Sequence, residues 1–309
     1  MQQHAVESIS PTSSIISVNH LTKSFAETKA LNDLCLDITS NRVLAILGAN
    51  GAGKTTLINI LLGRLQADSG DVSVFSSKAG NQEVKRQTGA MLQVANLPET
   101  LKIKEHIQLF QSYYPNPMPY EKVIEYAGLA ELQNRYSKKL SGGEKQRLLF
   151  ALSICGNPKL LFLDEPSVGM DVESRQSLWR AIRDLKSQGT SIVLTTHYLQ
   201  EADALADEIV LLKQGKVIKR GTSEQIKASV SSTTIRFHSQ QPSEVFNALE
   251  GAVQVSSNGK YTQIQTHQVN QTLKALLNQY ADIEDLTVSS AGLEDAFLQL
   301  NDDNSGELQ

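Results

Sequence analysis

Val43-Leu44-Ala45-Ile46-Leu47-Gly48-Ala49-Asn50-Gly51-Ala52-Gly53-Lys54-Thr55-Thr56 is the stretch from which the fold can be read. Its first five residues form a continuous apolar run, as a strand buried on both faces requires. Gly48 to Thr55 fit the spacing G-x-x-x-x-G-K-[ST], and the chain from Lys54 to about Leu62 reads as a helix. A strand, a glycine turn and a helix in that order make a cradle for phosphate. The glycines at 48, 51 and 53 let backbone N–H groups converge without Cβ clashes, and the helix N-terminus adds a favourable dipole. Lys54 can reach the β- and γ-phosphates of a nucleotide, and the Thr55 hydroxyl can ligate Mg²⁺. Asn50, Ala52 and Thr56 complete the set expected to contact the nucleotide.

Downstream, Leu160-Leu161-Phe162-Leu163-Asp164-Glu165-Pro166 places two acids at the end of another apolar strand. In an open parallel sheet, ligands bind at the carboxyl ends of the strands. Asp164 can hold Mg²⁺ opposite Thr55, directly or through water. Glu165 can accept a hydrogen bond from an attacking water, which in a loose phosphoryl-transfer transition state needs orienting more than early deprotonation. Between the two motifs, Leu140-Ser141-Gly142-Gly143-Glu144-Lys145-Gln146-Arg147 opens a further helix, with Ser141 as a natural N-cap. It is a second helix start suited to an anion, so a nucleotide held between two surfaces is expected.

The glycine loop, Ser141-Gly142-Gly143-Glu144 and Leu163-Asp164-Glu165-Pro166, in this order and spacing, resemble the ATP-binding cassette (ABC) ATPases throughout residues 16–222. The same order holds for weaker matches that alone read as a surface amide, a polar strand end and a core aromatic. Gln93 resembles the family's lid glutamine, also a Mg²⁺ ligand. Thr195-Thr196-His197 resembles its switch histidine. Phe25 occupies the place of the aromatic residue that stacks on adenine, keeping the stacking face of the usual tyrosine without its hydroxyl. Ser167-Val168-Gly169-Met170-Asp171 resembles the loop Ser-Ala-Gly-Leu-Asp.

The resemblance implies a P-loop α/β fold of ABC type with a helical subdomain. It implies ATP and Mg²⁺ as cofactors. Lys54, Gln93, Glu165 and His197 would act in hydrolysis, and Ser141, Gly142, Gly143, Glu144 and Asp171 in binding. It further implies two cassettes packed head to tail, each ATP lying between one chain's glycine loop and the other chain's Ser141–Glu144. With one set of motifs, this chain would pair with a second copy or a close relative. ATP binding would close the pair, and the motion would pass to a polytopic membrane permease.

Gly292-Leu293-Glu294-Asp295-Ala296-Phe297-Leu298 resembles the C-terminal segment of the multidrug and polysaccharide exporter class, of which the daunorubicin-resistance-type ATPases are an example. His197-Tyr198-Leu199-Gln200-Glu201-Ala202-Asp203 is similar to that group's His-Tyr-Met-Glu-Glu-Ala-Glu. An exporter with a separate permease is therefore expected. By the same resemblance, Val94–Lys104 is where the permease would dock. The competing reading is a soluble ABC-type ATPase without a transporter. A regulator that no longer hydrolyses is disfavoured by the presence of Lys54, Asp164, Glu165 and His197.

The 309 residues suffice for two domains, with 40% hydrophobic and 20% charged residues. A polar tail at 1–14 is expected to precede the ATPase domain, 15–222, whose helical insertion spans about 95–158. A linker at 223–233, within which Ser and Thr accumulate, would lead to a second domain at 234–309. There the order reads β-α-β-β-α-β, with helices expected at Ser243–Leu249, Gln271–Gln279 and Leu293–Leu300. That order resembles a small ferredoxin-like fold, and a role in pairing or regulation is expected for it. The net charge of −4 and a pI near 5.9 argue against a nucleic-acid partner. Cys35 and Cys155 read as reduced, buried thiols without metal-ligand spacing. No apolar run approaches the roughly 20 residues of a membrane span, and Met1–Glu7 does not read as a secretory signal. The expected location is cytoplasmic, peripheral at the inner face of the membrane through the permease.

Overall fold

The apolar run Val43–Leu47 forms a strand buried along its whole length. It lies in a computed structural model that describes residues 14–93, 97–229, 233–290 and Leu293. The chain divides into two units, Met1–Arg220 and Gly221–Gln309.

The first unit opens with an antiparallel pair, β1 (Ser14–Phe25) and β2 (Thr28–Thr39). β3 (Val43–Leu47) feeds α1 (Lys54–Leu61) through the glycine loop. β4 (Ser69–Val74) and β5 (Ser77–Lys78) complete the outer sheet, in the order β2-β1-β4-β5. Next come α2 (Gln82–Arg86) and β6 (Thr88–Met91). Three helices follow before the next strand: α3 (Ile103–Gln111), α4 (Tyr120–Ala127) and α5 (Gly142–Ile154). β7 (Leu160–Asp164), α6 (Val172–Ser187), β8 (Ser191–Thr196) and α7 (Leu199–Leu205) return the chain to the central sheet. The hairpin β9 (Glu208–Lys213) and β10 (Lys216–Gly221) closes its edge. The hairpin turn places Gln214 and Gly215 at φ 48° and 75°, the left-handed pair that two-residue hairpins favour.

The central sheet runs β10-β9-β3-β8-β7-β6, with β6, β7, β8, β3 and β9 paired in parallel. Every residue of β3, β7 and β8 is buried. Register sets the site. Leu47 stands beside Thr196, and Asp164 beside Thr195. Three neighbouring strands thus end level, each releasing its next residues at one edge of the sheet. α1 packs into the same apolar cluster as both sheets. Leu57, Ile58, Ile60 and Leu61 meet Leu44, Ile46, Phe162 and Val193 of the parallel sheet and Val18, Leu21 and Leu34 of the outer one. A helix enclosed in this way is apolar around most of its circumference.

From Leu34 the alternation in β2 is regular, with Leu34, Leu36 and Ile38 inward and Cys35 outward. Cys35 is therefore exposed rather than buried, while Cys155 is buried, and both are free thiols. Burial pushes the Cys155 thiol up to about 12. In β1 the alternation slips. A register shift between Val18 and Leu21, with His20 at φ 51°, lets residues of opposite parity both face the core.

The second unit contains α8 (Ser223–Ser229), β11 (Thr233–His238), a 3-10 turn (Ser243–Ala248), β12 (Ala252–Ser257), β13 (Thr262–Thr266), α9 (Val269–Gln279) and β14 (Glu284–Ser290). Its sheet order is β12-β13-β11-β14, each neighbour antiparallel. Ile235, Phe237, Phe246, Leu249, Ile264 and Leu276 form its core.

Two expectations for this unit change. The helix expected at Ser243–Leu249 is a 3-10 turn. Its two buried anchors, Phe246 and Leu249, are three residues apart, the spacing that 3-10 geometry eclipses. The stretch read as a linker begins as a helix. Thr222 Oγ1 accepts from Gln225 N at 3.2 Å while Gln225 Oε1 accepts from Thr222 N at 2.9 Å, a reciprocal cap that nucleates α8. Residues 230–232 of that stretch lie outside the described residues, as does the expected tail apart from Ser14, the first residue of β1. The motif at Gly292–Leu298 and the helix expected at Leu293–Leu300 also lie outside them, except Leu293, which is buried. Among the described residues no helix is long and apolar enough to cross a membrane.

Candidate nucleotide-binding site

The glycine loop is seated on backbone from two other segments. A Cβ at Gly48 would stand 2.4 Å from Leu212 O, and one at Gly53 would stand 2.3 Å from Ala30 O. Gly53 also holds φ 107° and caps α1 without any side-chain bond; no acid occupies the helix's first turn. The loop is tied down by Gly215 N donating to Ala52 O at 3.0 Å. Above Gly51 there is open space within 4 Å of where a Cβ would be. The result is a preformed concavity of backbone N–H groups at a positive helix end, with room for an anion.

Lys54 is buried. Its Nζ donates to Gly48 O at 2.8 Å and Ala49 O at 3.2 Å, so the loop's own carbonyls hold it in place. Burial lowers its pKa, and the nearby Glu165 and Asp164 carboxylates oppose that shift.

Asp164, at the end of β7, accepts from Thr55 Oγ1 at 3.1 Å and from Thr195 Oγ1. Glu165 follows at φ 53°, an uncommon conformation for a residue with a side chain. Two bonds from its N–H hold it there, to Thr195 O at 3.0 Å and Thr195 Oγ1 at 3.2 Å. The turn aims its carboxylate at His197, whose Nδ1 lies 2.6 Å from Glu165 Oε2. Glu165 is 7% exposed and His197 46%, so the pair has one foot in the protein and one in solvent.

A cleft of about 560 Å³ is lined by the loop residues from Asn50 to Thr56 together with Gln93, Glu165 and His197, within the size range of small-molecule sites. Gln93 is exposed, and Val94–Asn96 after it lie outside the described residues. Thr28 and Ala30 line the cleft as well. Sequence reasoning missed both, and it missed the role of Thr195. Thr195 carried a usable signal: a hydroxyl at the end of an otherwise apolar strand needs a partner when fully buried.

Other expected residues stand apart from this cleft. Phe25 ends β1 half-exposed, with Lys23 Nζ 5.6 Å from its ring centre. Ser141, Gly142, Gly143 and Glu144 open α5 elsewhere on the unit's surface. Ser141 Oγ accepts from Glu144 N at 3.3 Å, and Glu144 Oε2 accepts from Ser141 N at 2.8 Å. Glu144 Oε1 also pairs with Arg135 at 2.9 Å. Both carboxylate oxygens are thus engaged within the chain. The Ser141 N–H bond, aided by Arg135, holds the Glu144 carboxyl below the usual carboxylate range. Asp171 caps α6, accepting from Ser174 N at 2.7 Å and Ser174 Oγ at 3.1 Å, and these bonds hold its pKa low.

The profile of the ABC transporter family matches residues 31–168. The chain is 32% identical to the daunorubicin/doxorubicin resistance ATP-binding protein DrrA of Streptomyces peucetius, over 94% of this chain and 95% of that one. It is 30% identical to the Nod factor export ATP-binding protein I of Rhizobium sp. (strain N33), over 75% of this chain and 79% of the relative. Among solved structures, a dimeric post-hydrolysis ATP-binding cassette bound to ADP and Pi superposes with a TM-score of 0.61 at 24% identity. It covers 67% of this chain and 98% of the other. The likeness in fold, the full-length identity to DrrA and the strand-end cluster agree: the chain belongs to the ATP-binding ATPases of the ABC transporter family.

Proposed function

We propose that this chain is the ATPase subunit of an exporter, working as a head-to-tail pair at the inner face of the membrane beneath a separate polytopic permease. One observation carries the hydrolytic part. The glycine loop, Asp164 and the Glu165–His197 pair leave three adjacent parallel strands at one level; the loop and the pair line one cleft, and Asp164 is bonded to Thr55 of that lining. The backbone from Gly51 to Thr55 and the Lys54 ammonium would hold the phosphates. Exchange of its carbonyl partners for phosphate oxygens keeps Lys54 bonded throughout. Thr55 and Asp164, already 3.1 Å apart, offer oxygens suited to Mg²⁺, with Gln93 at the rim of the same cleft. When bound, Mg²⁺ would neutralise phosphate charge. Glu165 would orient water, and His197 would steady the Glu165 carboxylate and reach toward phosphate.

The pairing is supported by what lies outside the cleft. Ser141–Gly143 present a helix start that lines no part of their own chain's glycine-loop cleft, and Glu144 is consumed in shaping that start. Such a surface is suited to the phosphate of a second copy. The names of the drug-resistance and Nod-factor-export relatives support export, and Phe25, the strand partner of Thr28 in the cleft lining, is suited to stacking on adenine. The second unit, whose element and strand order suit a ferredoxin-like fold, is assigned to pairing or regulation.

The test is Glu165→Gln in the full chain. It should retain Mg-ATP binding, lose nearly all turnover, and migrate as a dimer in ATP. Turnover near the wild-type rate would remove Glu165 from the reaction. A monomer in ATP would remove the paired site.

A further inference from the structure

α6 and α7 meet beside the site through two contacts, set four residues apart on α6 and three apart on the chain entering α7. Arg175 lies over the ring of Tyr198, its Cζ 4.9 Å from the ring centre. One turn along, Trp179 Nε1 donates to Glu201 Oε1 at 3.0 Å. Glu201 is fully buried, and its Oε2 has no hydrogen-bond partner; Arg175 Nε is likewise buried and unpartnered. A buried carboxylate satisfied at one oxygen costs stability. An arrangement that keeps it gains position rather than stability. What it positions is the start of α7, where Glu201 N donates to Tyr198 O at 3.0 Å. Tyr198 N in turn donates to Thr196 Oγ1 at 2.9 Å, so both backbone and ring of Tyr198 are fixed.

The Tyr198 ring also lies against His197, with ring centres 4.2 Å apart and planes at 37°. His197 occupies the bend between β8 and α7, and its imidazole is 46% exposed. A half-exposed ring on a bend is free to turn about its side-chain torsions unless something bears on its face. Its bond to Glu165 fixes one atom; the Tyr198 face fixes the plane.

We propose that Tyr198, held by Arg175 and by the Trp179–Glu201 bond, is the positioning residue for His197: it sets the plane of the imidazole for ATP hydrolysis without touching nucleotide. This rests on His197 and Glu165 forming the hydrolytic pair. It also gives α6 a part in the reaction, because the helix begins at the Asp171 cap and carries Arg175 and Trp179 one and two turns later. The Tyr198 hydroxyl takes no part in the His197 or Arg175 contact, so a phenylalanine should serve as well.

The experiment is a double-mutant cycle in the full chain, read by steady-state and single-turnover ATPase rates, by nucleotide affinity, and by the NMR signal of the His197 ring. Tyr198→Ala should lower kcat about tenfold with KM for ATP changed by less than about twofold, the signature of misplacement rather than lost binding. Tyr198→Phe should stay within about twofold of wild type. In a His197→Ala background, Tyr198→Ala should cost nothing further, because its effect passes through that ring. The His197 resonance should move in Tyr198→Ala and hold in Tyr198→Phe. Arg175→Gln, which leaves the aromatic ring in place, should give a smaller fall of the same kind and supplies the test if Tyr198→Ala does not fold. Equal losses in the presence and absence of His197 would overturn the proposal in favour of a general structural role. A His197→Ala chain at full rate would instead overturn the role of His197 itself, and this proposal with it.

Discussion

The Thr195 hydroxyl bonds both the Asp164 carboxylate and the Glu165 backbone N–H, and Thr195→Val isolates that hydroxyl while keeping shape and β-branching. Two contacts are lost. The bond from Thr195 Oγ1 to Asp164 Oδ1 disappears outright, and it is fully buried. The bond from Glu165 N to Thr195 Oγ1, 3.2 Å, disappears too, but that N–H keeps Thr195 O at 3.0 Å. The second loss is therefore nearly free. The first leaves Asp164 with Thr55 alone at 3.1 Å. A buried bond to a carboxylate contributes about 1.5–3 kcal/mol. In a unit of this size that corresponds to a fall in Tm of about 3–12 °C. Turnover should fall as well, by about tenfold or more, because Asp164 loses the bond that fixes its carboxylate opposite Thr55. Thermal melting together with ATPase rates across a Mg²⁺ titration reads both effects, and Thr195→Ser should restore each. An unchanged Tm and unchanged kcat in Thr195→Val would refute the reasoning that Thr195 holds the two acids in register.

Three further outcomes are expected. Gly53→Ala should cost about 3 kcal/mol or more and abolish ATP binding, since the new Cβ meets Ala30 O at φ 107°, whereas Gly51→Ala, with open space around it, should cost only about 1 kcal/mol and fold; melting and nucleotide titration separate the two. The depressed Glu144 pKa means that, between its folded value and the ordinary glutamate value of about 4.3, the unfolded chain binds more protons. Stability should therefore rise with pH through that window and be flat above it, and Glu144→Gln should flatten that part of the Tm–pH curve. Ser141→Arg should leave ATP binding by the single chain intact and abolish turnover of the pair; equilibrium binding beside an ATPase assay decides, and full turnover would exclude a role for Ser141 in a partner's site.

Much of the central architecture was legible in residues 43–56 and 160–165 because burial on both faces leaves only apolar side chains, and because a phosphate cradle demands glycine at fixed intervals. What was not legible depends on partners distant in sequence. Nothing near Thr195 says that its hydroxyl meets an acid 31 residues away. Likewise, Ala30 enters the site only because β2 brings its carbonyl beneath Gly53. At 223–233 the composition reads as a linker, yet Thr222 and Gln225 hold the spacing of a reciprocal helix cap, a local signal outweighed by the Ser/Thr run beyond it. Ser243–Leu249 reads as a helix, although its two buried apolar anchors fit a tighter turn.

The seat of the glycine loop has a consequence for genetics. A side chain introduced at Gly48 or Gly53 collides with a carbonyl oxygen, Leu212 O or Ala30 O, and carbonyls are common to all amino acids. No replacement at 212 or 30 could remove the collision, so a second-site suppressor at the contact cannot exist. Gly156 is the opposite case: a Cβ there would meet the ring of Tyr114 at 2.6 Å, and a smaller residue at 114 would make room. A screen for revertants should thus recover compensating changes for Gly156→Ala and only true reversion for the two loop glycines. The loop's sequence is locked by parts of its neighbours that mutation does not alter.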